Sequence, residues 1–302
     1  MGGNIFENVK PIKKNYINNT VKNYILELQN IFPLTNNIFN NFITVGSCGK
    51  FPHSNDIDLA LDINYLQPIE TKLNLFNINV NEFNKKLNEY IKRSRTSTPE
   101  QLKLKTLLYF IATQINSKSN SIVADIKKVS IGSLFNSFYQ YDHNDKKLNK
   151  RIQIDVIIGN IDWLKFSYYS KSYDGNIKGL HRTQLILSLF SYVGYTFGHL
   201  YGVKNKETQK IEVTTVSDGI DLLSTLYNIK FSEKIFEDYF KLHNFIKTNL
   251  QPNDYCSVID IYLLIIDKTR TDVPIDLQQY WIENKTRLNL TGKFLPNNSR
   301  LM

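Results

Sequence analysis

Apolar positions along this chain recur with one of two periods, and the switches between them outline the fold. In Tyr16–Ile31, the residues Val21, Tyr24, Ile25, Leu28 and Ile31 fall on one side of a helical repeat, which predicts an amphipathic helix. Phe42–Val45 is a short run of β-formers that stops at Gly46-Ser47, and turn chemistry fills Cys48–Asn55. From Asp56 the period drops to two. Asp56, Asp58, Ala60 and Asp62 share one face of a predicted strand, and Ile57, Leu59, Leu61 and Ile63 share the other. Asn64–Asn81 reads as polar and irregular, punctuated by Pro68, and Glu82–Ile91 as a short helix. Lys92–Arg95 reads as a basic loop. Thr98-Pro99-Glu100-Gln101 then combines an N-cap Thr, a first-turn Pro and a capping-box Gln, so a helix should run to about Ile115.

From Ser121 the pattern turns to β, with imperfect alternation in Ile122–Ile126 and Lys128–Leu134 and a polar turn region over Tyr141–Lys150. Arg151–Ile158 alternates cleanly. Ile152, Ile154, Val156 and Ile158 form its apolar face; Gln153, Asp155 and Ile157 form the other. Asp162–Ser170 leaves the sheet with many aromatics, Lys171–Gly179 is a polar loop, and a helix is expected from Leu180 to about Gly198. A β-hairpin is predicted near 201–215, from Tyr201–Val203 and Lys210–Thr215. Helices are predicted over Asp218–Tyr227, Ser232–Leu250, Asn253–Lys268 and Ile275–Arg287, with a polar tail from Thr291.

These patterns predict an α+β protein of two domains. Residues 1–165 would hold a mixed sheet with flanking helices, interrupted by an insertion over about 64–120; residues 166–302 would be mostly helical. The two cysteines, Cys48 and Cys256, argue for a reducing compartment and against a disulfide scaffold or zinc site. No apolar run reaches membrane-spanning length and no signal peptide is legible, so the expectation is a soluble, cytoplasmic protein with no membrane partner. The net charge of +9 favours polyanionic partners such as nucleotides or RNA, although an AT-rich phage, viral or low-GC bacterial genome gives a similar composition.

The acidic face of the Asp56 strand changes the picture most. Two carboxylates about 6–7 Å apart along one strand repel each other, and a hard cation is their natural counter-ion. Mg²⁺ takes oxygen ligands of this kind together with substrate phosphates. The adjacent Gly46-Ser47 turn suits phosphate, because glycine lets the backbone approach and serine offers an N–H and a hydroxyl. The bland alternative is an exposed strand edge with solvated charges. Cys48 reads as a small buried residue, not a nucleophile, because no histidine stands at useful spacing.

The order strand, Gly46-Ser47, short loop, Asp56-Ile57-Asp58-Leu59 resembles the signature of the DNA polymerase β-like nucleotidyltransferase superfamily. That resemblance implies a nucleotidyltransferase-type sheet, a helical C-terminal domain, an NTP substrate and two Mg²⁺ ions, with Mn²⁺ as a substitute. It implies that Asp56 and Asp58 are metal ligands and that an acid from a later strand completes the set. Asp155 matches that role by context, and Asp125 is the competitor. Gly46 and Ser47 would hold the β/γ-phosphates. Lys50 and Ser54 lie in a Cys48–Asn55 loop shorter than the family usually has, and Lys178 and Arg182 at a helix start are further candidates for nucleotide binding. For Arg182 the alternative is a capping or packing role. Asp162–Ser170 (DWLKFSYYS) with Lys178–Leu185 (KGLHRTQL) is similar to a block in predicted phage-encoded nucleotidyltransferases. The reaction implied is transfer of NMP to a hydroxyl with release of pyrophosphate. The acceptor could be an RNA 3′ end, a protein, a small molecule or a second nucleotide. The rival is a non-catalytic nucleic-acid-binding or structural, even virion, protein on the same fold.

Overall fold

A computed structural model describes residues 5–95, 97–169, 171, 177 and 179–291, which divide into two compact units, Met1–Lys165 and Phe166–Met302. The first runs β1 (Ile12–Lys13), α1 (Ile17–Ile31), α2 (Asn36–Phe39), β2 (Ile43–Val45), β3 (His53–Ser54), β4 (Asp56–Asp62), α3 (Ile69–Lys72), α4 (Val80–Arg93), α5 (Pro99–Lys118), β5 (Val123–Ala124), β6 (Ser133–Tyr141) and β7 (Lys147–Gly159). Five strands form one mixed sheet in the order β2-β4-β7-β6-β5, antiparallel except for the central β4–β7 pair. Both element types are therefore well represented, as an α+β reading requires.

The apolar stripes decide which side of this sheet is covered. Ile57, Leu59 and Leu61 of β4, Ile152, Ile154, Val156 and Ile158 of β7, and Leu134 and Phe138 of β6 are buried in one cluster with Tyr24 and Leu28 of α1 and Leu107, Leu108, Ile111 and Ile115 of α5. Period-2 alternation then leaves Asp56, Asp58 and Asp155 on the opposite side. α5 begins as its sequence predicts. Thr98 accepts the Gln101 N–H and the Gln101 side chain accepts the Thr98 N–H, which closes a capping box.

Several boundaries differ from expectation, each for a local reason. Asn64–Asn81 is not irregular: it makes helical turns, including α3, that bury Leu66, Ile69, Leu73, Phe76 and Ile78 in the core. The stretch read as an insertion also supplies α5, so it builds the core instead of decorating it. α4 starts earlier, where Asn79 accepts the N–H groups of Asn81 and Glu82, and it runs through Arg93, so Lys92 and Arg93 are helical. The strand expected over Lys128–Leu134 begins only at Ser133, because Asp125 caps a 3₁₀ turn over Ile126–Lys128. Tyr141–Lys150 is a tight turn inside a hairpin. Asp142 gathers the Asn144 and Lys146 N–H groups, and Lys147–Lys150 already belong to β7, at a solvated end where no apolar alternation marks a strand.

α6 (Ile161–Ser167) crosses the division between the units. The second unit continues with α7 (Gly179–Tyr192), strands β8 (Tyr195–Gly198), β9 (Gly202–Asn205) and β10 (Ile211–Val213), then α8 (Val216–Tyr227), α9 (Tyr239–Asn249), α10 (Pro252–Thr269) and α11 (Gln278–Asn284). The helix expected to reach Gly198 stops at Tyr192. Gly194 takes a left-handed φ of 88°, and Tyr195–Gly198 becomes the third strand of an antiparallel sheet in place of the predicted two-stranded hairpin. The helix expected over Ser232–Leu250 is a 3₁₀ turn at Glu233–Ile235 followed by α9, whose N-terminal amides are capped by Asp238. Among the described residues, no helix is long and apolar enough to cross a membrane.

Candidate metal centre

Parallel pairing of β4 with β7 places Asp58 directly beside Asp155, and Asp56 beside Gln153, on the sheet face away from the core. One carboxylate oxygen from each of Asp56, Asp58 and Asp155 lies within 4.8 Å of the others. Asp56 is only 8 % exposed, and its two partners are half-buried. Like charges this close under restricted solvation oppose one another's ionisation. Burial, then the charges of Asp56 and Asp155, push the Asp58 carboxyl well above the ordinary range. Burial raises Asp155 to about 7; a hydrogen bond from Gln153 acts against the rise and the Asp56 charge adds to it. A cation shared by the three oxygens would relieve this repulsion, and three carboxylates are a hard-oxygen donor set able to hold a metal ion.

The turn after β2 is fitted to this cluster. Gly46 sits at φ 70°, and a Cβ there would lie 2.3 Å from Asp58 Oδ2. The backbone passes over the carboxylate so closely that only glycine fits. Ser47 and Lys50 are exposed on the following loop, and Ser54 is buried with its Oγ accepting the Gly49 N–H at 3.1 Å. Ser54 thereby closes the loop onto itself. Cys48 lies beneath the turn, and burial with the Asp58 and Asp56 charges pushes its thiol up to about 12, so the thiolate is suppressed.

The other expected residues fall elsewhere. Asp125 caps the turn before β6 and is not in the carboxylate cluster. Arg182 is buried in the second unit. Its guanidinium stacks 4.8 Å over the Phe166 ring and donates to the carbonyls of Phe166 (2.9 Å) and Phe236. His181, beside it, bonds the Asp272 carbonyl through Nε2 at 2.8 Å. Both side chains are thus engaged with the backbone of their own unit, which is a packing role for Arg182. Lys178 lies outside the described residues. Lys92 and Arg93 sit on α4, which packs against α5 on the side of the sheet away from the carboxylates.

A fourth side chain adjoins the carboxylates. Gln153, 2 % exposed, donates from Nε2 to Asp155 Oδ1 (2.8 Å) and accepts the Ile5 N–H on Oε1 (3.0 Å). The Ile5 amide fixes which end of the Gln153 amide faces Asp155, so the carboxylate orientation is held by a chain of two hydrogen bonds. Its place two residues before Asp155 on the same face was legible; its partner at Ile5 was not. Comparison of the chain with protein-family models and with curated proteins returned no match.

Proposed function

We propose that the protein is a metal-dependent nucleotidyltransferase of the DNA polymerase β type, which transfers NMP from an NTP to a hydroxyl acceptor and releases pyrophosphate. The observation that carries this reading is the convergence of Asp56, Asp58 and Asp155 within 4.8 Å, beside the Gly46-Ser47 turn. Two Mg²⁺ ions, or Mn²⁺ in their place, would supply charge stabilisation of the attacking and leaving oxygens of an in-line displacement. Asp56, Asp58 and Asp155 would hold the ions. Gln153 keeps the Asp155 carboxylate in position, and the Gly46-Ser47 turn offers its backbone and hydroxyl to the β/γ-phosphates. The acceptor oxygen bonds to the α-phosphorus, the bond to the bridging oxygen breaks, and pyrophosphate leaves with that electron pair. The hydroxyl proton passes to solvent water.

Incubation with α-³²P-labelled NTPs and total cellular RNA and protein, with Mg²⁺ and with EDTA, tests this. Metal-dependent label transfer that disappears in Asp58→Ala is the expected result; transfer undiminished in that variant rejects the assignment.

A further inference from the structure

Three segments remote in sequence meet at the end of the sheet where β4 and β7 begin. The first six residues of β7, Lys147–Ile152, extend past the start of β4, and the N-terminal segment fills the space beside them. Val9 bridges Arg151 in parallel, the Lys10 N–H donates to the Arg151 carbonyl (2.8 Å), and Gln140 Nε2 donates to the Lys10 carbonyl (2.8 Å). Lys13 then pairs with His53 across β1–β3, and the Lys14 N–H donates to the Pro52 carbonyl (2.9 Å). Lys10, Lys13, Lys14, Lys147 and Lys150 are thereby gathered on one rim, all exposed. Among the described residues none of these five ammonium groups has a carboxylate within ion-pair distance. By contrast, Lys86 and Lys103 of the α4–α5 hairpin pair with Glu89 and Glu70.

The acids nearest the rim in sequence are mostly engaged. Asp145 is held by Lys22 and Asn23, and Asp142 by turn amides; Glu7 is exposed. The rim also carries an aromatic side chain. Tyr139 lies opposite Arg151, with Lys147 Nζ 3.8 Å from its ring centroid and the Arg151 guanidinium 4.3 Å. Arg151, Gln153 and Asp155 share one face of β7, which puts Arg151 about 13 Å along the strand from Asp155, Lys150 about 17 Å and Lys147 up to about 26 Å.

We infer that this rim binds the phosphate backbone of a single-stranded RNA whose end approaches the carboxylates. Five lysines without a carboxylate partner match the charge of a polynucleotide backbone. Asn149, exposed between Lys147 and Lys150, and Asn144, exposed in the turn before them, add amide partners for 2′-hydroxyls, which favours RNA over DNA. The part assigned to the RNA, acceptor of the nucleotide, rests on the nucleotidyl-transfer reading; the binding itself does not.

Fluorescence anisotropy with a labelled single-stranded RNA of about 12 nucleotides, in EDTA so that no transfer occurs, tests the surface. Lys147→Ala/Lys150→Ala and Lys13→Ala/Lys14→Ala should each weaken binding about tenfold at low salt and flatten the log K against log salt slope by about 1.4, roughly 0.7 for each phosphate no longer neutralised. Lys85→Ala/Lys92→Ala on α4 removes the same charge and should change affinity less than about twofold. No RNA binding, equal losses in rim and α4 variants, or equally tight binding of DNA of the same sequence each overturns the inference. Because the measurement is metal-free, failure here with Asp58-dependent transfer intact would reject the rim alone, leaving the transfer chemistry standing.

Discussion

The first unit gathers Asp56, Asp58 and Asp155, and the second gathers Asp276, His243 and Tyr255. Both are clusters of ionisable side chains, but they are assembled on opposite rules. His243 is 2 % exposed and donates Nδ1–H to Asp276 Oδ2 (2.6 Å), which leaves Nε2 to accept the Tyr255 hydroxyl (2.8 Å). Tyr239 donates to the other Asp276 oxygen at 3.2 Å. Donors meet acceptors and the histidine is complete; such a cluster stabilises a fold. In the first unit, acceptors face acceptors and the carboxyls raise one another's proton affinity. Such a cluster could hold a cation, which would relieve the repulsion.

The contrast can be broken at several points. Asp58→Ala should lower nucleotidyl transfer by about a thousandfold or more, which single-turnover label transfer would measure, because under the proposed function it removes one of three metal ligands. Asp58→Asn should meanwhile raise the melting temperature of the metal-free protein, since a repelling charge is gone. His243→Ala should do the reverse, costing about 3 kcal/mol by leaving Asp276 and Tyr255 without their shared partner, while calorimetry of metal binding stays unchanged. If His243→Ala abolished transfer without loss of stability, the division between the clusters would fail.

pH should separate them next. The folded pKa of Asp155, about 7, exceeds its unfolded value, so the native state holds more protons over the interval between them. The Asp155 contribution to stability of the metal-free protein is therefore fully present below about pH 4 and is lost as pH rises through about 7. Mg²⁺ should raise the melting temperature more at pH 8 than at pH 5, and Asp155→Asn should flatten that dependence. The smallest expected effect is at Gln153. Gln153→Leu should weaken Mn²⁺ binding about tenfold, read by electron paramagnetic resonance, with Asp155 still present. An unchanged affinity would mean that Asp155 holds its orientation unaided.

Much of this site was legible because strand alternation is a local rule. The faces of 56–62 and 152–158 followed from period two, and the Asp155 face from the same count. Partner choice is not local. Nothing in Lys10–Lys14 or Lys147–Lys150 shows that their segments will lie side by side, because the ties run through the Lys10 backbone, to the Arg151 carbonyl and the Gln140 side-chain amide. Polar stretches misled for a related reason. Lys147–Lys150 are strand without an apolar face, and Asn64–Asn81 hides its buried Leu66, Ile69, Leu73 and Phe76 among polar neighbours. Arg182 shows the limit of reading charge as exposure, since carbonyl oxygens and a phenyl face satisfy a guanidinium as well as phosphate does.

The parallel register of β4 and β7 has a consequence for how the protein is kept folded. Two neighbouring parallel strands need a crossover, and here roughly a hundred residues separate Asp58 from Asp155. An unfolded chain offers a cation at most the local Asp56–Asp58 pair, whereas the paired sheet offers all three. Any ion bound there is linked to the pairing of the strands, and its free concentration sets part of the folding equilibrium. Depleting divalent cations would then act on this chain as a mild denaturant, loosening the sheet at its centre instead of its edges.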